Sequence, residues 1–247
     1  DFIKFEGQDG DIDAVAWLLE HDYKGAIPKS QGIHGMRFRL GNIQVGYDNL
    51  VAEDIYPESR FNSWTVAEVH ILNRKILPNG RRDHFEQNVH YMNLVGELSL
   101  VGKNIANLCR TKSAIRNRQK EFELHRRKAE ELVGIIEQKV ASSRIIENSE
   151  ESLETSLKRM STLAKSEILT PELANNLENK LVEIKQSAGK INGSSKEAIK
   201  TKNNDPLAHF SSEKRESYNE IFKIIYEVMN EKIAAKNLID KIIEKII

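Results

Sequence analysis

Phosphate chemistry is within reach of this chain at Arg81 and Arg82, which follow Pro78-Asn79-Gly80 and precede Asp83-His84-Phe85-Glu86. A guanidinium presents a fixed fork of donors to phosphate oxygens, and backbone amides at a glycine turn or helix start add more. The same residue types also serve a plainer purpose. Arginine beside an acidic residue at a helix start commonly forms a structural ion pair or a solvent-facing cap. Other candidates are weaker. His70 stands two residues from Glu68 on one strand face, which suits a metal pair, but no third ligand has a credible spacing. His84 and His90 are six apart, not the four of a helical metal pair. Cys109, the single cysteine, follows Leu108 in an apolar helical context and reads as a buried thiol.

The elements around the arginines follow from the run Phe61–Asn88, FNSWTVAEVHILNRKILPNGRRDHFEQN. Trp64, Val66, Val69 and Ile71 mixed with Thr65, Glu68 and His70 predict a strand from Trp64 to Ile71, irregular near Ala67. Pro78 and Gly80 flanking Asn79 stop the extended chain and permit a tight turn with positive φ. Arg81 onward then reads as the opening of a helix, with Asp83 and Glu86 in its first turns. From Asn88 the apolar period changes from two to about 3.6. Leu94, Leu98, Val101, Ile105 and Leu108 form a heptad stripe of coiled-coil or bundle type. No proline lies between Pro78 and Pro171, so one helix is expected from about 84 to 147.

Taken with GIHGMRFRLGNIQVG, Gly32–Gly46, the runs RFNSWTVAEVHI and ILPNGRRDHFE resemble the middle, or transducer, domain of bacterial proteins related to the Hsp90 chaperones and the wider GHKL ATPase superfamily. The family signature is a strand ending in Leu-Pro, then Asn, then Arg and an acidic residue at the start of a helix. Leu77, Pro78, Asn79, Arg82 and Asp83 stand in that order. The resemblance covers roughly the first 95 residues. It implies a ribosomal-S5-domain-2-like fold, with Arg82 reaching the γ-phosphate of ATP, Asn79 shaping the turn and Asp83 orienting the arginine. Gly80-Arg81 between Asn79 and Arg82 departs from the chaperone pattern and leaves open whether Arg81 or Arg82 faces phosphate.

The resemblance further implies that the groups binding adenine, Mg2+ and the attacking water belong to an N-terminal nucleotide-binding domain absent from this chain. Neither a glycine-rich phosphate loop closing on Lys-Ser or Lys-Thr nor an Asp-x-Gly-x-Gly element occurs here. The resemblance thus implies ATP and Mg2+ as cofactors of a longer protein, with none bound by this fragment alone. Family outputs include ATP hydrolysis, chaperone-like handling of a protein client, a nucleic-acid clamp as in MORC and MutL proteins, and antiviral defence.

Lys plus Arg equals Asp plus Glu at 37 each, so no global field draws nucleic acid or membrane. No apolar run reaches the roughly 18 residues of a membrane span, and the opening residues show no basic-then-apolar leader pattern. Lone-cysteine usage suits a cytoplasmic protein. Aromatic residues thin out beyond Tyr91 while Lys, Glu, Asn, Ser and Ile rise. The expected architecture is α/β then all-α: a transducer domain over 1–90, then over 91–247 a stalk of two or three antiparallel helices.

Along the chain, strands are expected at Asp1–Phe5 and Ile12–Leu19, and a hairpin over 32–46 turns at Gly41-Asn42. Arg37 and Arg39 share one face of that hairpin, where paired or solvated arginines are commoner than nucleic-acid contacts. Tyr47–Arg60 should hold a short helix and a loop. Arg116, Arg118, Lys120, Arg126, Arg127 and Lys128 make part of the long helix basic, a solvated flank or else a strip facing nucleic acid. Asn148-Ser149 should kink or end that helix. Thr170-Pro171-Glu172 starts another, ending by Gly189 or Gly193. Thr201–Pro206 reads as a linker, and one last helix should run from Ser211 or Ser212 toward Ile247. Its broad apolar face must be covered, within the chain or in a homodimer. The rival to the transducer reading is a non-catalytic dimerisation or nucleic-acid-binding helical scaffold.

Overall fold

The computed structural model describes residues 1–47, 50–138, 143–197, 207 and 209–246. The chain divides into two compact units, Asp1–Arg116 and Asn117–Ile247.

The first unit is built on a mixed five-stranded sheet of β1 (Phe2–Glu6), β2 (Ile12–Leu18), β3 (Gly35–Leu40), β4 (Ile43–Val45) and β5 (Val66–Ile71), in the order β1-β2-β5-β3-β4. Strands β3 and β5 run parallel, and every other neighbouring pair is antiparallel. The parallel pair needs a crossover. It is supplied by β4, the one-turn α1 (Ala52–Ile55) and a 3-10 segment, Ser59–Trp64. Trp64 thus belongs to that 3-10 segment rather than to the expected strand, which starts at Val66. Its ring meets Phe61 edge-on at 5.6 Å.

One sheet face, with Ala14, Ala16, Phe38, Val69 and Ile71 buried, packs on the start of α2 (Val89–Gln138) through Tyr91, Leu94, Leu98, Ile105, Ala106 and Cys109. These helix residues repeat at 3.6 rather than 3.5, so the face drifts away from a strict heptad. Leu108 consequently rotates outward to 41% exposure, and Cys109 takes the inner place. Burial pushes the Cys109 thiol up to about 11, with Arg116 and Arg110 pulling the other way. Helix and α1 approach closely at Gly102, where a Cβ would stand 2.3 Å from the Ile55 carbonyl oxygen. This packing carries the first compact unit to Arg116, beyond the composition change near residue 90.

The expected helix opening at Arg81 is corrected: helix begins only at Val89. Asn88 caps it, accepting the Tyr91 N–H at 3.0 Å on its side-chain oxygen. The Asn88 side-chain amide also donates to the Lys75 carbonyl at 2.8 Å, tying the helix start to the chain that leaves β5.

The second unit comprises α2 from Asn117 onward with α3 (Ser143–Ala164), α4 (Pro171–Glu197), α5 (Ser212–Val228) and α6 (Lys232–Ile246). Helix α3 runs straight through Asn148-Ser149, where a break was expected; Ser149 is buried. Thr170 does cap α4, its side-chain oxygen accepting the Leu173 N–H at 3.4 Å. The helix then continues past Gly189 and Gly193 to Glu197. The last expected helix is two, interrupted at Met229, whose backbone is extended. Lys232 Nζ donates to the Tyr226 and Met229 carbonyls freed there. Ile135, Leu207, Phe222, Tyr226, Ala235 and Ile239 make this core. The expected linker Thr201–Pro206 lies outside the described residues.

Candidate functional site

The candidate arginines lie at the tip of a small hairpin that leaves β5. Pro78 and Phe85 form an antiparallel bridge. Around it Glu86 N–H donates to the Leu77 carbonyl at 2.8 Å, and Asn79 N–H to the His84 carbonyl at 2.8 Å. Proline suits the rim because the bridge asks no N–H of it. Phe85 is the anchor. It is buried, meets Phe38 of β3 at 5.9 Å and stacks on Tyr91 of α2 at 5.2 Å. The tip is therefore fixed both to the sheet and to the first turn of α2. Burial raises the Tyr91 phenol to about 12.

At the tip, Asn79 organises the turn. Its backbone carbonyl accepts the Arg82 N–H at 3.0 Å. Its side-chain amide donates to Asp83 Oδ1 at 2.7 Å. Asp83 was expected to orient Arg82; it holds Asn79 instead, and no ion pair joins it to either arginine among the described residues. Arg81, Arg82 and Asp83 are all exposed. Arg82 has φ of 58°, a left-handed backbone that a non-glycine residue seldom adopts. Its carbonyl accepts the Gly46 N–H at 2.9 Å.

The four residues singled out, Asn79, Arg81, Arg82 and Asp83, are thus brought together on one short loop. Two guanidinium groups on it have no ion-pair partner among the described residues. Gly46, Phe85 and Asn88 escaped the sequence reading as contributors to this site. Asn88 before an apolar helical period was a readable capping signal, and Gly46 could only be read as the end of a hairpin.

On the open sheet face the charged candidates are spent on structure. Arg37, Arg39, Glu68 and His70 share that face. Arg39 Nε donates to Glu68 Oε1 at 2.9 Å, Arg37 lies 3.3 Å and His70 3.4 Å from the same carboxylate, and Trp17 Nε1 donates to it at 3.2 Å. Burial opposes ionisation of Glu68, yet hydrogen bonds from Arg39 and Trp17 and the two arginine charges outweigh it and hold its pKa below the ordinary glutamate value. Among the described residues no cluster of His, Cys, Asp and Glu could hold a metal ion.

On α2, Arg116 donates to the Asp22 carbonyl and to Ser113, while Arg126 is claimed by Glu123 and Glu130. Of the six basic residues of this stretch, Arg126 alone has carboxylate partners among the described residues, while Arg116 donates to neutral oxygens that leave its charge in place. None of the helices is long and apolar enough to cross a membrane, among the described residues.

No family model, curated protein or solved structure matches this chain.

Proposed function

We propose that this chain is the transducer and helical part of a GHKL or Hsp90-like ATP-driven machine, and that its hairpin tip lends a guanidinium to the γ-phosphate of ATP held by a separate nucleotide-binding domain. The observation that carries the reading is the exposed arginine pair, without an ion-pair partner among the described residues, on a tip braced by Phe85 and Asn79. A structural pair would have consumed its charge within the fold, as Arg37 and Arg39 do with Glu68. A cation presented on a rigid base toward a phosphoryl group stabilises charge without reorganising. The mixed sheet with α2 packed on one face is compatible with the ribosomal-S5-domain-2-like fold that this role implies.

Coupling follows from the same contacts. Phe85 stacks on Tyr91, and Asn88 both caps α2 and grips Lys75. A pull on the tip would reach the first turn of α2 through packed rings rather than through a loop. The catalytic nucleophile, Mg2+ ligands and adenine pocket belong, in this reading, to the nucleotide-binding domain.

The test is steady-state ATPase turnover of the full-length protein carrying Arg82→Ala. A fall of about tenfold or more is expected, since one such electrostatic contact is commonly worth a few kcal/mol. Unchanged turnover would favour the scaffold reading, in which the arginines do no more than solvate the tip.

A further inference from the structure

Arg81 and Arg82 are adjacent, equally charged and both exposed, yet their backbones are not equivalent. Arg82 has both polar groups engaged: its N–H on the Asn79 carbonyl at 3.0 Å and its carbonyl under the Gly46 N–H at 2.9 Å. Arg81 has no corresponding backbone bond among the described residues. The left-handed φ of 58° at Arg82 is thus held from two sides. Such a conformation persists in a non-glycine residue only where its surroundings over-determine it.

The second of those holds comes from a position that must be glycine. Gly46 itself has φ of 67°, which favours a residue without Cβ. A Cβ there would stand 2.8 Å from the Asp83 carbonyl oxygen and 2.7 Å from Leu50 Cδ1. Backbone from the end of β4 and backbone from the hairpin tip meet at a distance that admits nothing larger. Two segments remote in sequence are pinned together at Arg82, which with Tyr23 makes the two non-glycine residues of positive φ among the described residues.

We propose that Gly46 is a positioning residue: its N–H fixes Arg82 in the left-handed conformation, and so selects Arg82 over Arg81 as the group offered to the terminal phosphate of a nucleoside triphosphate. The selection rests on the transducer reading above; the hold of Gly46 on Arg82 stands apart from it. Because Arg82 departs from the turn in a fixed direction, its guanidinium has less conformational freedom to lose on meeting a phosphate. Arg81, on a backbone with no such hold, contributes charge in general rather than a defined contact.

The experiment compares Gly46→Ala with Gly41→Ala in the full-length protein. Gly41 also has a left-handed φ, 58°, but no atom lies within 4 Å of its Cβ position and it sits at the β3–β4 turn. It therefore reports the general effect of alanine in that backbone region. Two readouts are taken: the rate of limited tryptic cleavage after Arg81, and kcat and KM for ATP. Gly46→Ala is expected to speed that cleavage about fivefold or more and to lower kcat about tenfold with KM unchanged, while Gly41→Ala moves neither.

Cleavage and kcat both unchanged in Gly46→Ala would overturn the positioning role. Faster cleavage with unchanged kcat would leave Gly46 holding the tip and overturn the phosphate reading instead. Should Gly46→Ala fail to fold, Arg81→Ala against Arg82→Ala decides the selection. A kcat loss confined to Arg82→Ala supports it, and an equal loss in both, or none in Arg82→Ala, refutes it.

Discussion

At Glu68 the open face of the sheet shows how this chain treats charge it does not export. A single carboxylate, 13% exposed, serves Arg37, Arg39, His70 and Trp17. Because its folded-state pKa lies below the unfolded value, the unfolded chain binds a proton more readily in the window between the two. Stability contributed by Glu68 is therefore present above the ordinary glutamate pKa of about 4.3 and lost as pH falls through the folded value. Glu68→Gln should lower stability at neutral pH by on the order of 1–3 kcal/mol, since Arg37 keeps little solvent to replace the lost partner. It should also flatten the acid limb of a plot of melting temperature against pH. Parallel acid limbs in the two proteins would show that other carboxylates govern acid unfolding. Arginines 37 and 39 were legible as a sheet face from their alternation with Met36, Phe38 and Leu40. Their common partner was not, because Glu68 reaches β3 only through a parallel pairing that no local pattern encodes.

Among the elements, α2 and the hairpin position the arginine tip, and they differ in how plainly the sequence announces them. A long apolar period made the helix readable, as the alternation of Gly32–Gly46 made the β3–β4 hairpin readable. Its start was misplaced because Arg81-Arg82-Asp83 offers helix-like charges, whereas Pro78 pairs with Phe85 and the burial of Phe85 between Phe38 and Tyr91 favours a hairpin. The final helix was read as one because Met229-Asn230-Glu231 contains neither glycine nor proline. Its interruption is satisfied by Lys232, a side-chain contact rather than a propensity signal.

The seat of α2 can be tested at its two early glycines, which predict opposite signs. At Gly102 an added Cβ would meet the Ile55 carbonyl oxygen at 2.3 Å, while at Gly96 it would meet nothing within 4 Å. Gly102→Ala should cost about 1–3 kcal/mol by urea unfolding, because a backbone carbonyl cannot swing aside as a side chain can. Gly96→Ala should gain up to about 1 kcal/mol from helix propensity alone. A gain at both sites would mean that α2 is not seated on α1 as described.

Taken as a whole molecule, the chain joins a sheet unit whose exposed arginine tip has no ion-pair partner among the described residues to a helical unit with its own core around Phe222 and Tyr226. The sheet-then-helix order was readable from composition and period. The extent of the first unit, to Arg116, was not, since α2 belongs to the sheet core along one stretch and to the helical unit along the next. If the tip meets the terminal phosphate as proposed, backbone hydrogen exchange of residues 79–84 in the full-length protein registers the contact. With a non-hydrolysable ATP analogue and Mg2+ the Arg82 segment is expected to slow about tenfold relative to ADP and Mg2+, and Arg82→Ala should abolish the difference. Equal exchange in the two nucleotide states would contradict the claim.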